Sequence, residues 1–78
     1  MFRVSLLDIQ RASLVCREVA SCVVLPGEEG EFSVLDFHQP IVSCLKEGVV
    51  KIDEKQPVPI KRGIARMEGN ELFILVEQ

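Results

Sequence analysis

Residues 13–25 read S-L-V-C-R-E-V-A-S-C-V-V-L, with valines at 15, 19, 23 and 24 and neither glycine nor proline among them. Two branches on Cβ stiffen χ1 and suit a pleated, packed surface better than a helix. No apolar spacing of three and four residues runs through the stretch between helix caps, so it is expected to be extended. A bend or break is expected near Cys16-Arg17-Glu18, where the apolar run is interrupted. Its second half sets Val19, Ser21, Val23 and Leu25 on one side and Ala20, Cys22 and Val24 on the other. Both sides are then apolar, whereas the outer face of an isolated sandwich strand is polar. A chain this short buries only part of its surface, so Ala20, Cys22 and Val24 are expected to meet a partner protein.

Outward from this stretch the same chemistry repeats. Valine and isoleucine supply 17 of the 78 residues, and turn signals recur every ~8–12 residues, the rhythm of a sandwich or barrel. Phe2 to Leu7 reads as a strand with Phe2, Val4 and Leu6 on one face, and Asp8 to Arg11 turns. On the other side come Glu31 to Leu35, Ile41 to Leu45 and Val49 to Ile52, with a polar tip at Asp53–Gln56. Pro57 and Pro59 cannot donate ladder hydrogen bonds and place Val58 at a sheet edge. Gly63, inside Ile60 to Met67, signals a bulge or a close backbone approach. Gly69-Asn70 is a two-residue hairpin signal before Leu72 to Val76. The fold class expected is all-β: a flattened antiparallel β-sandwich or barrel of about eight to ten short strands, forming one domain over residues 1–78.

Composition removes several classes of function. A net charge of −3 lacks the basic footprint of a nucleic-acid binder, and no tyrosine or tryptophan is present to stack on bases. No apolar run reaches the ~20 residues of a membrane span, so no direct membrane insertion is expected. The start M-F-R-V-S-L-L-D meets an acid too early for a signal peptide. Cys16, Cys22 and Cys44 are odd in number and lack a CxxC spacing. They read as buried, reduced thiols of a cytosolic protein.

Residues 26–40, P-G-E-E-G-E-F-S-V-L-D-F-H-Q-P, concentrate turn formers with side chains able to engage a partner. His38, Cys44 and the acids Glu28–Glu31 lack a ligand signature, so no metal is expected. Cys44 lies between Ser43 and Leu45 in an apolar strand, the setting of a core thiol rather than a nucleophile. Glu28, Glu29 and Glu31 form a solvated tip, and Gly27 and Gly30 lack the Gly-Lys-Ser/Thr of a phosphate loop. No catalytic residue, cofactor or small-molecule substrate is expected. Phe37 beside His38 puts an apolar side chain on a loop, which suits docking.

The order of motifs, Gly27-x-Glu29-Gly30-Glu31-Phe32-x-Val34, His38-x-Pro40-Ile41, Leu45-Lys46-x-Gly48 and Gly63-Ile64, resembles the N-terminal β-sandwich domain of the epsilon chain of F-type ATP synthases. The resemblance covers essentially the whole chain. It implies a non-catalytic rotor subunit in the central stalk, docked on the gamma chain and touching the c-ring loops, coupling ion flow to ATP synthesis. It also implies a peripheral place at the cytoplasmic face of the inner or plasma membrane. Carried over by position, Glu31 and His38, with Phe37 beside them, fall on the ring-facing loops, and Ser43 falls on the gamma side with Ala20, Cys22 and Val24. Asp36-Phe37 stands where the family has Pro-Gly, Ser33 where it has glycine, and Lys61-Arg62-Gly63 where Ser-Gly-Gly is common. The family continues into a helical hairpin that inhibits hydrolysis; with the sequence stopping at Gln78, a form without self-inhibition is the expectation. The competing expectation is a small β adaptor, unrelated to the synthase, that binds a protein or peptide at an exposed edge. A weaker third is a redox or metal module built on the cysteines.

Overall fold

A computed structural model describes residues 1–36 and 40–78. Among the described residues nine strands follow one another: β1 Phe2–Asp8, β2 Ser13–Ala20, β3 Cys22–Gly27, β4 Gly30–Leu35, β5 Ile41–Leu45, β6 Gly48–Ile52, β7 Val58–Ile60, β8 Arg62–Glu68 and β9 Glu71–Glu77. Their order in space is β2-β1-β9-β8-β5-β3-β6-β7, with β4 on β3. The sheet curls on itself, so the expected all-β sandwich is what the chain forms.

The expected alternation closes the core. Phe2, Val4 and Leu6 of β1, Leu72, Ile74 and Val76 of β9, and Ala65 and Met67 of β8 meet Val23, Leu25, Val34, Val50 and Ile52 from the other half. All these side chains are buried, and each large aliphatic one contributes about 1.5–3 kcal/mol relative to exposure.

One pairing departs from an antiparallel meander. β1 runs parallel to β9, from Arg3 opposite Glu71 to Asp8 opposite Val76. Hairpins force antiparallel neighbours, but no hairpin joins these strands, and the rest of the chain serves as their crossover.

The long stretch 13–25 breaks at Ser21, not at Cys16–Glu18. The cause is distant in sequence. The Asp53 carboxylate accepts from the backbone N–H of Ser21 at 3.0 Å and of Cys22 at 2.9 Å, and Asp53 N–H donates to the Cys22 carbonyl at 2.8 Å. The bend reverses the alternation, so Val19 is exposed while Ala20, Val23 and Leu25 are buried. Val19 therefore does not share the side of Val23. Near Cys16 there is only a shift of register, opposite Leu6 and Leu7.

Glycine has two structural duties here. Gly63 sits inside β8, where an added Cβ would lie 2.5 Å from the Leu75 carbonyl oxygen and 2.9 Å from Val76 Cγ1, which is the expected close approach. Gly69 takes φ +61° in the two-residue turn between β8 and β9. Val58 and Pro59, directly after Pro57, lie as expected in the edge strand β7.

Gly63→Ala should lower the unfolding free energy by about 1–3 kcal/mol in urea titration, because backbone must shift to admit the methyl group. An unchanged midpoint would show that the approach is looser than described. Asp53→Ala removes the acceptor for two N–H groups and should cost about 1–2 kcal/mol in the same titration.

Candidate functional site

One end of the molecule is built by the hairpin β3–β4. Its strands run up to a two-residue turn, with Gly27 opposite Gly30 and Leu25 opposite Phe32. The Phe32 ring lies over Gly27, where an added Cβ would come within 2.8 Å of the ring and of the Gly30 carbonyl oxygen. Glu28 N–H donates to the Cys44 carbonyl at 3.2 Å and Lys46 N–H to the Pro26 carbonyl at 2.9 Å, which ties the hairpin to the end of β5. The result is an open cleft of about 510 Å³ bordered by Glu28, Glu29, Glu31, Phe32, Ser43 and Cys44. Its three carboxylates are solvated, which makes the end acidic and suited to polar contact.

The structure thus brings Glu31 and Ser43 to one cleft. Phe37 and His38 lie outside the described residues. Ala20 is 0% exposed and belongs to the core; its methyl group opposes Phe2 from β2, so the expected gamma-side contact through Ala20 is corrected. Cys22 and Val24 do point outward from β3, opposite Leu35 and Ser33 of β4, but both are only half-exposed. Cys22 shares a hollow with Asp53, Glu54 and Lys55. Ser43 lies on β5, away from that face.

The larger apolar surface is elsewhere, and sequence reading missed it. Across β2, β1, β9, β8 and β5 the registers align Leu14 with Leu7, Leu7 with Leu75, Leu75 with Ile64, and Ile64 with Cys44. Beside that row, Arg17 opposes Ser5, Ser5 opposes Phe73, Phe73 opposes Arg66, and Arg66 opposes Val42. Opposed residues share a face. Leu14 at 50%, Val42 at 73%, Ile64 at 47%, Phe73 at 37% and Leu75 at 41% exposure make this outer face apolar. Val42, Ile64, Arg66, Phe73 and Leu75 border a shallow hollow of about 360 Å³. The alternation of Leu72–Val76 was visible, but residues spread over five strands align only once the pairing is known.

Burial, reinforced by the neighbouring Glu18 carboxylate, pushes the Cys16 thiol above its usual range, and Glu18 itself pairs with Lys55. The expected buried thiols are corrected: Cys44 is exposed, on the outward side of β5 opposite Ile64, Cys16 and Cys22 are half-buried, and all three are free. Among the described residues no three or more His, Cys, Asp or Glu side chains are gathered to hold a metal, and no helix is long and apolar enough to cross a membrane.

Residues 2–78 match the family described as the ATP synthase Delta/Epsilon chain, beta-sandwich domain. The chain belongs to this family. Similar curated proteins are the ATP synthase epsilon chains of Campylobacter fetus, 41% identical over 82% of this chain and 53% of the relative, and of Rickettsia bellii, 37% identical over 83% and 66%. That of Campylobacter curvus is 41% identical over 73% of this chain and 47% of the relative. The chain spans about half the length of most of these epsilon relatives. Its fold is shared with a chain of the Tetrahymena thermophila mitochondrial ATP synthase central stalk and c-ring, TM-score 0.78 at 16% identity, covering 97% of this chain and 63% of that one. A chain of the Euglena gracilis mitochondrial ATP synthase gives TM-score 0.78 at 18% identity, covering 100% and 52%.

Alkylation of the native epsilon-family chain at about pH 8 should label exposed Cys44 before half-buried Cys16, whose thiol is held protonated more strongly than usual. Equal rates, read by peptide mass mapping, would contradict the burial described for Cys16.

Proposed function

We propose that this chain is the sandwich portion of a central-stalk subunit of an F-type ATP synthase, joined to the gamma chain and to the c-ring loops and acting by contact rather than catalysis. The family match over residues 2–78 carries this reading. It is supported by the epsilon-chain names of relatives at 41% and 37% identity.

In this reading the acidic hairpin end faces the ring. The Gly27–Gly30 turn holds Glu28, Glu29 and Glu31 outward on two tightly paired strands, so Glu31 meets polar loop groups with little freedom to lose on contact. Phe37 and His38 belong to the same proposed contact by position in the sequence. Ser43 borders the same cleft, and by position in the sequence it belongs to the proposed gamma side. Cys22 and Val24 offer a smaller, half-exposed patch to the gamma side. The subunit works peripherally, at the cytoplasmic face of the membrane that holds the ring.

Co-expression with the gamma chain of the same genome should give a stable one-to-one complex on size-exclusion chromatography, and two separate peaks would contradict the assignment. Within the assembled synthase, Glu31→Lys should weaken retention of the ring on the stalk while leaving the gamma complex intact. Unchanged ring retention would remove Glu31 from the contact.

A further inference from the structure

We propose that two copies of the free chain pair face to face through the outer side of β2-β1-β9-β8-β5, about a two-fold axis that runs along β9. The inference goes beyond the stalk-subunit reading and does not depend on it.

The strand register carries this pairing. β9 is the middle strand of the five, and the outward row Leu14, Leu7, Leu75, Ile64, Cys44 is centred on Leu75. The next row, Arg17, Ser5, Phe73, Arg66, Val42, is centred on Phe73 in the same way. Val19, Arg3, Glu71 and Glu68 make a third row. A two-fold along β9 exchanges β2 with β5 and β1 with β8, and it keeps each row over the same row of the second copy. Leu75 then meets Leu75 of the second copy, Phe73 meets Phe73, Leu7 meets Ile64 and Leu14 meets Cys44. Strands running the same way in the two layers suit aligned sheet packing, with its angle of about 30°. A two-fold across the strands would instead set Arg17 on Leu14 and Arg66 on Ile64, pressing guanidinium groups onto apolar side chains.

The charges obey the same symmetry. Arg62 pairs with Glu77 and Arg66 with Glu68. Arg3 and Arg17 have no carboxylate at ion-pairing distance among the described residues, although Glu71 opposes Arg3 in the register. The two-fold lays Arg3 over Glu68 of the second copy, because the two hold matching places on β1 and β8 in one row. Glu68 is exposed and paired with Arg66 of its own strand, and a carboxylate has lone pairs for a second guanidinium. Glu71 comes to the axis with an Arg3 on each flank, which offsets the repulsion between the two carboxylates. Arg17 is carried to Val42 of the second copy, on the border of the cleft that also holds Glu28, Glu29 and Glu31. Each copy thus supplies acids that the other's arginines lack. The face is roughly 20 Å wide at ~4.8 Å per strand, small beside the ~800 Å² per partner of a standard interface, so the dimer is a reversible one. Only β2 of the five strands lies at an edge, and pairing therefore orders little backbone.

The test is sedimentation equilibrium of the 78-residue chain from micromolar to millimolar concentration, over which the wild type should pass from monomer to dimer. Phe73→Asp sets two carboxylates against each other at the axis and should weaken the dimer about tenfold or more. Arg3→Glu alone and Glu68→Arg alone each place like charges twice across the interface, and each should weaken it about tenfold at low salt. An equimolar mixture of these two variants should pair nearly as tightly as the wild type, because both contacts are then opposite in sign. Mixing repairs no folding defect, so it carries the test should Phe73→Asp fail to fold. A wild type that stays monomeric to millimolar concentration overturns the proposal. So does a dimer that all three changes leave intact, or a mixture that pairs no better than its components. A chain monomeric by itself that loses a gamma complex through Phe73→Asp overturns it in favour of gamma as the occupant, and leaves the stalk reading standing.

Discussion

The parallel pairing of β1 with β9 holds the first and last strands in the middle of a five-strand layer. Without it, β2 and β1 would leave the sheet together, and Leu72, Ile74 and Val76 would lose Val4 and Leu6 as core neighbours. Its register also decides the outer surface. With Ser5 opposite Phe73 and Leu7 opposite Leu75, the apolar side chains of β9 continue into β1 and on to Leu14 of β2. A slip by one residue would send the outward set to the core and expose Val4 and Leu6. Inner core and outer apolar face are thus two consequences of one strand pair.

Local chemistry made most strands readable. The alternations at Phe2–Leu6 and Leu72–Val76, the edge prolines of β7 and the Gly69-Asn70 turn depend on residues two to four apart, and all appear where their spacing puts them. The break in residues 13–25 did not, because Asp53, on another hairpin, supplies the acceptor that bends the chain at Ser21. That bend reverses the alternation and moves Ala20 into the core, which local spacing had placed on the surface.

The candidate site divides along the same line. The Gly27–Glu31 turn was legible, since its glycines and acids are contiguous and the turn is tight. The five-strand apolar face was not. Leu14, Val42, Ile64 and Leu75 are scattered along the sequence and are each ordinary as single exposed residues. Only the sheet order makes them one surface, and only the ion pairs of Arg62 and Arg66 reveal that Arg3 and Arg17 differ from them.

The molecule then has two surfaces of contrasting chemistry: an acidic hairpin tip fixed to β5, and an apolar face across β2-β1-β9-β8-β5. The most direct measurement is a cryo-EM map of the assembled complex resolving side chains around this chain. The account predicts the Gly27–Gly30 turn, with Glu31, resting on the polar loops of the ring. A map in which that turn faces solvent, away from the ring, would contradict it.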